Sequence, residues 1–132
     1  MAISIPDTRQ YPLVAYASFA LADTASGVGV AVFALPQNAV VTGGQVIIDT
    51  AYDSGTSDAI EVGDAGDNNR YLTTTSVAAA GRTALVPTGY QVANANRNIE
   101  IEVTSAGTAA TEGSGRIQVE YIVEGRSTEN FE

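Results

Sequence analysis

The residues best suited to chemistry lie in one short stretch, Gly63-Asp-Ala-Gly-Asp-Asn-Asn-Arg-Tyr-Leu72. Asp64, Asp67, Asn68 and Asn69 follow one another closely, with glycine between them. Calcium takes oxygen ligands on a flexible backbone, so a cation loop is the first reading to test. The EF-hand template requires acids at alternate positions, glycine at the sixth and glutamate at the twelfth. Counting from Asp64, the third position is Gly66, the sixth is Asn69 and the twelfth is Thr75. Counting from Asp58, the third and fifth are Ile60 and Val62. The template fails in both registers. A strand-to-strand loop is the expectation, in which Asp and Asn bond their own backbone and glycine supplies left-handed geometry. No metal ligand is assigned.

The other familiar constellations are missing their parts. The chain has no cysteine, histidine or tryptophan, and its basic residues are all arginine. Ordinary zinc sites, Ser-His-Asp triads, Cys-His pairs, Schiff-base lysines and phosphate-loop lysines are therefore excluded. Paired carboxylates could hydrolyse a glycoside, but these acids are more simply read as surface. Gly27-Val-Gly29 and Gly113-Ser-Gly115 open no helix and precede no lysine. They read as turns or bulges. The tyrosines at 11, 16, 52, 71, 90 and 121 share no spacing. They are expected to plug the edges of a β core with their hydroxyls in water. Glu100, Glu102, Glu120 and Glu124 are expected on one solvated face of adjacent strands. No catalytic residue, cofactor or small-molecule substrate is assigned.

The elements that must position these groups are strands. Residues 13–21 alternate loosely, and a turn follows at 23–27. Over 28–35, Val28, Val30 and Val32 share one face and Phe33 and Leu35 the other, as in a strand covered on both sides. Leu35-Pro-Gln-Asn38 is a turn with proline second. Gly43-Gly44 marks a bulge or close backbone approach in the strand that follows. Short strands are expected over 58–62 and 70–75. Residues 77–80 could form one helical turn. Ile99, Ile101 and Val103 alternate with Glu100 and Glu102, and Ile117, Val119, Tyr121 and Val123 alternate with polar residues and Ile122. These last two strands are expected to pair as sequential antiparallel neighbours.

Seven or eight strands at spacings near ten residues predict an all-β fold, a single-domain antiparallel β-sandwich or jelly roll. The expected divisions are an N-terminal arm at 1–12, a β-sandwich domain at 13–126 and a C-terminal tail at 127–132. Ile3, Ile5, Pro6 and Tyr11 in the arm and Phe131 in the tail are apolar groups with little of their own domain to pack on. They are the expected assembly contacts.

The formal net charge is −9 over 132 residues, with a sequence pI near 4.2. Such a surface repels phosphate backbones, so no nucleic-acid partner is expected. No apolar run reaches the ~18 residues of a membrane helix. The start, MAISIPDTRQY, lacks a basic region followed by an apolar core and is not read as a signal peptide. Synthesis in a host cytoplasm is the expectation.

The run ALPQNAVVTGGQVIIDTAYDSGTSDAIEVGDAGDNNRYL resembles a segment of small virion proteins of tailed bacteriophages, as does the ending GRIQVEYIVEGRSTENFE. The shared order is a Pro-Asn turn, a Val-Val-x-Gly-Gly strand, a Thr-Ser-Asp strand into Val-Gly-Asp, and then Arg-Tyr-Leu. The resemblance spans roughly residues 28–126 and is to capsid decoration, or cement, proteins. It implies a small β-domain on the virion exterior, bound to the major capsid protein and often trimeric at three-fold axes. It brings no catalytic residues with it. Rival readings are another virion part (head fibre, tail-tube or adaptor), a carbohydrate-binding β-module, or a carboxylate glycosidase.

Overall fold

Among the described residues, eight strands follow the register that the apolar alternation demands. The computed structural model describes residues 9–127. The strands are β1 (Leu13–Ala20), β2 (Val28–Ala34), β3 (Ala39–Thr50), β4 (Ser57–Gly63), β5 (Leu72–Ser76), β6 (Gly81–Ala84), β7 (Asn98–Ala106) and β8 (Ser114–Val123), with 3-10 turns at Leu21–Asp23 and Asn94–Asn96. One sheet has the order β1-β8-β3-β6 and the other β2-β7-β4-β5. All pairings are antiparallel. Strand one pairs with eight, two with seven, three with six and four with five. This is a long hairpin rolled into a barrel-like sandwich, the jelly-roll arrangement.

The rolled hairpin corrects one expectation. β7 and β8 are consecutive, but they lie in opposite sheets. Apart from the β4–β5 hairpin, each connection carries the chain from one sheet to the other, so those neighbours in sequence face each other across the core. Residues Ile99, Ile101 and Val103 from β7 and Ile117, Val119 and Val123 from β8 meet in one buried cluster. Fully burying each such side chain contributes ~1.5–3 kcal/mol. The corner between β7 and β8 is fastened to the β3–β4 corner. Asp53 accepts hydrogen bonds from the Thr111 amide (2.7 Å), the Thr111 hydroxyl (2.6 Å) and the Glu112 amide (3.1 Å). Gly113 lies under the Tyr52 ring, where an added Cβ would stand 2.7 Å from ring carbons.

The strand over 28–34 is not covered on both sides. β2 is a sheet edge, with Val28 exposed. Its pattern changes phase because the register against β7 shifts between Ala31 and Phe33. A bulge moves one residue out of step, so Phe33 and Leu35 join Val30 on the core side. Residues 77–80 form no helical turn. Val77 is buried, its amide bonding the Asp58 carbonyl and its carbonyl receiving the Tyr52 amide.

The expected turn at Pro36–Asn38 is present, with Asn38 in the left-handed region (φ 73°). The Gly43-Gly44 signal is also met. The register of β3 against β8 shifts between Val41 and Gly43. Gly44 has φ 139°, and a Cβ there would stand 2.2 Å from the Gln118 carbonyl oxygen.

Candidate functional site: an uncharged sandwich margin

The acidic loop is organised around a fork within the chain. Asp64 is buried. Its Oδ1 accepts the amides of Gly66 (2.9 Å) and Asp67 (3.0 Å), while Arg70 bonds both oxygens, at 2.6 Å to Oδ2 and 3.2 Å to Oδ1. The Arg70 guanidinium lies 3.6 Å from the Tyr90 ring centroid, and the Tyr90 hydroxyl receives Asn96 Nδ2 at 3.0 Å. The carboxylate thus closes its own turn and holds Arg70, two residues ahead of β5. Among the described residues no group of three His, Cys, Asp or Glu side chains is gathered for a metal ion.

The tyrosines form no platform. Tyr52 and Tyr71 are core residues, so their hydroxyls are not at the wet edge as expected. Burial raises both phenols, Tyr71 to about 12. Tyr11 and Tyr16 are strongly exposed, at 67% and 78%. The glutamates also divide, against expectation. Glu100 and Glu102 lie on β7 and Glu120 on β8, in opposite sheets, with Glu124 just beyond β8. The cause is again the rolled hairpin, which separates β7 from β8.

The two broad faces therefore differ in charge. The outer face of the β2-β7-β4-β5 sheet carries Glu61 directly opposite Glu102, with Glu100 two residues along. The outer face of the other sheet carries a polar lattice. Arg116 forks onto Asp49 with two bonds of 2.9 Å, Gln45 and Gln118 bond at 2.8 Å, and Arg82 bonds Gln45.

The two lateral margins differ as well. One is closed by β5 and β6, of five and four residues, with threonines and Arg82. The other is formed by β1 and β2, of eight and seven residues, whose sequences LVAYASFA and VGVAVFA contain no charge and no proline. Leu13, Val14, Tyr16 and Val28 are exposed there. A groove of about 320 Å³ runs between the two edge strands, lined by Ala17, Phe19, Val30, Val32 and Ile101 together with Asp23. Long uncharged edges present unpaired backbone groups and favour strand addition unless something blocks them. Sequence reading did not single out Val14, and took Tyr16 only as one of six tyrosines expected at the edges of the core. A signal was available, because Asp23 is the one charged residue between Arg9 and Asp49.

The first and last described residues are tied together at one corner. Gln10 donates through Nε2 to the carbonyls of Val123 and Arg126 and accepts the Val123 amide at 2.8 Å. The Arg9 amide and the Ser127 hydroxyl bond at 3.4 Å. Of the expected contact residues, Tyr11 lies just ahead of β1. Ile3, Ile5, Pro6 and Phe131 lie outside the described residues.

No family model matches the sequence, and no curated protein does. Solved structures do. A chain of the capsid asymmetric unit of cyanophage Pam1 superposes with a TM-score of 0.74 at 25% identity, over 93% of this chain and 94% of that one. A chain of the capsid of Ralstonia phage GP4 gives 0.68 at 18% identity, over 96% and 93%. A chain of the capsid of Helicobacter pylori bacteriophage KHP30 gives 0.65 at 21%, over 85% and 87%. The last two share the fold. The first, matched end to end, relates this chain to the structural components of phage capsids.

Proposed function

We propose that this protein is a structural virion component that decorates the outside of a phage capsid, as a homotrimer, and stabilises the shell by bridging major capsid subunits. The observation that carries this reading is the end-to-end likeness to a chain of the cyanophage capsid. The surface supports it. A decoration protein needs a face that meets other protein and a face that stays in solvent. The face bearing Glu61, Glu100 and Glu102 suits solvent, and the face with Arg82, Arg116 and paired glutamines suits polar contact with other protein. Ile3, Ile5, Pro6, Tyr11 and Phe131 are the proposed contact residues of the two ends. Binding only to assembled subunits would stabilise the shell by mass action, and symmetry would multiply a weak contact.

The test is co-sedimentation of the purified protein with expanded shells that lack tails, together with its native mass. Saturable binding by a trimer, with shells surviving higher temperature, is the expected result. A protein that leaves shells unbound but associates with isolated tails belongs elsewhere in the virion. A monomer that binds neither overturns the proposal.

A further inference from the structure

We infer that the uncharged margin, where β1 and β2 adjoin, is the surface on which one copy of this chain meets the next. Each sheet ends there in an edge strand. Natural edges are blunted by shortness, charge, proline or a bulge. The β5–β6 margin is blunted, with strands of five and four residues and Arg82. β1 has none of these devices. It has eight residues, no charge and no proline, and its register against β8 runs unbroken from Leu13 to Ala20. Val14 and Tyr16 on β1 are 57% and 78% exposed, and Val28 on β2 is 52% exposed.

Charge selects the occupant. At a net charge of −9, copies repel one another over much of their surface. Contact through the outer face of the β2-β7-β4-β5 sheet would set Glu61, Glu100 and Glu102 against the acids of another copy. The β1–β2 margin carries only Asp23, and that carboxylate already accepts the Ala20 amide at 2.9 Å. A basic partner would find no row of acids here, and an acidic partner no arginine. A second copy brings an equally uncharged margin, so the two close without like charges meeting.

Both edges belong to one margin, so β1 of one copy can lie against β2 of the next. Every copy then gives one edge and takes the other. Such a head-to-tail contact closes into a ring when the rotation allows it. The inference rests on the decoration reading for the number of copies and on this margin alone for the contact. At ~3.3 Å per residue, eight residues make the margin about 26 Å long, and two sheets ~10 Å apart with their side chains make it about 20 Å deep. Covering it removes about 500 Å² from each chain, the size of a weak contact. Association is therefore reversible and concentration-dependent, and closing the ring strengthens it by holding each copy twice.

The chain has no cysteine, so single introduced thiols report on the margin. Val14→Cys, Tyr16→Cys and Val28→Cys are made in the full chain, with Thr73→Cys on the opposite margin as control. Reaction with a maleimide is followed as each protein is diluted from oligomer to monomer. Where about nine-tenths of the chain is associated, the margin thiols should react ~tenfold more slowly than after dilution, because the free fraction alone reacts. The Thr73→Cys thiol should keep one rate throughout. Tyr16→Glu/Val28→Glu should shift the native mass to monomer with an unchanged circular dichroism spectrum, while Thr73→Glu stays oligomeric. If the glutamate pair loses that spectrum, the thiol rates decide alone. An unmodified chain that is monomeric at every concentration, margin thiols indifferent to association, or a folded glutamate pair that stays oligomeric each overturns the inference. These measurements use no shell. An oligomer with a covered margin that ignores shells keeps this inference and loses the decoration reading, and one that binds shells with its margin thiols open does the reverse.

Discussion

Arg70 and Asp64 form a two-pronged ion pair, 2.6 Å from Nε to Oδ2 and 3.2 Å from Nη2 to Oδ1, with the aspartate side chain wholly inaccessible and the arginine 17% exposed. The pair turns an acidic glycine-rich loop into a rigid corner. Removing one member leaves the other buried and unsatisfied. Asp64→Ala is expected to lower unfolding free energy by about 3–5 kcal/mol, measured as a reduced urea midpoint. Because arginine and loop amides already occupy the carboxylate, adding calcium or a chelator should leave the melting temperature unchanged. A calcium-dependent rise would show the loop to be a metal site.

Acid should weaken the fold through carboxylates that the fold stabilises as anions. Burial alone would raise the Asp58 carboxyl, but hydrogen bonds from the Ser105 hydroxyl and the Ser54 amide outweigh it, and the group lies below the usual range. The Thr111 hydroxyl and backbone hold Asp53 low, and Arg116 does the same for Asp49. A depressed carboxyl contributes stability above its unfolded pKa, and that stability is lost as pH falls through the folded value. The melting temperature should be flat above about pH 5 and fall below about pH 4. Asp58→Asn should flatten the acid limb and reduce neutral stability by ~1–3 kcal/mol.

At the alkaline end the sign reverses. Burial raises the Tyr71 phenol to about 12, so the fold favours its neutral form. That contribution is intact below about pH 10 and lost as pH rises towards the folded value. Absorbance of tyrosinate should show a late-titrating fraction that appears together with unfolding. In Tyr71→Phe the alkaline unfolding should move to higher pH. An unchanged alkaline limb would mean Tyr71 does not control it.

Two adjacent glycines should respond differently to alanine. Gly44 has φ 139°, and a Cβ there would collide with the Gln118 carbonyl and approach Val119 Cα at 3.0 Å. Gly43 has nothing within 4 Å. Gly44→Ala is expected to destabilise by about 2–4 kcal/mol, and Gly43→Ala by less than ~1 kcal/mol. Equal denaturant midpoints would contradict the close approach of β3 to β8.

Which residues face inward was largely legible in the sequence, and which strands are neighbours was not. Ile99 to Val103 and Ile117 to Val123 announced their buried faces by alternation, and Pro36 to Asn38 and Gly43-Gly44 announced a turn and a bulge. Alternation reports a face and is silent on the partner, so β7 and β8 were expected side by side when they oppose each other. The slip between Ala31 and Phe33 defeated period counting on β2, because one extra residue reverses every later side chain. At the acidic loop the failed EF-hand spacing was readable, but the Arg70 fork was not, since six residues of chain must fold back to make it. The open margin was the least visible. An uncharged strand reads alike at the centre of a sheet and at its edge, and only topology separates the two.

The corner where Arg9 meets Ser127 has a mechanical consequence. A pull that separates the two ends would load the β1–β8 ladder at its Leu13–Tyr121 rung and then open it rung by rung, like a zipper. Hydrogen bonds opened in series resist far less force than the same bonds sheared together. Tension delivered through both ends of one molecule would therefore peel β1 away early, whereas load carried across its broad faces would spare that seam.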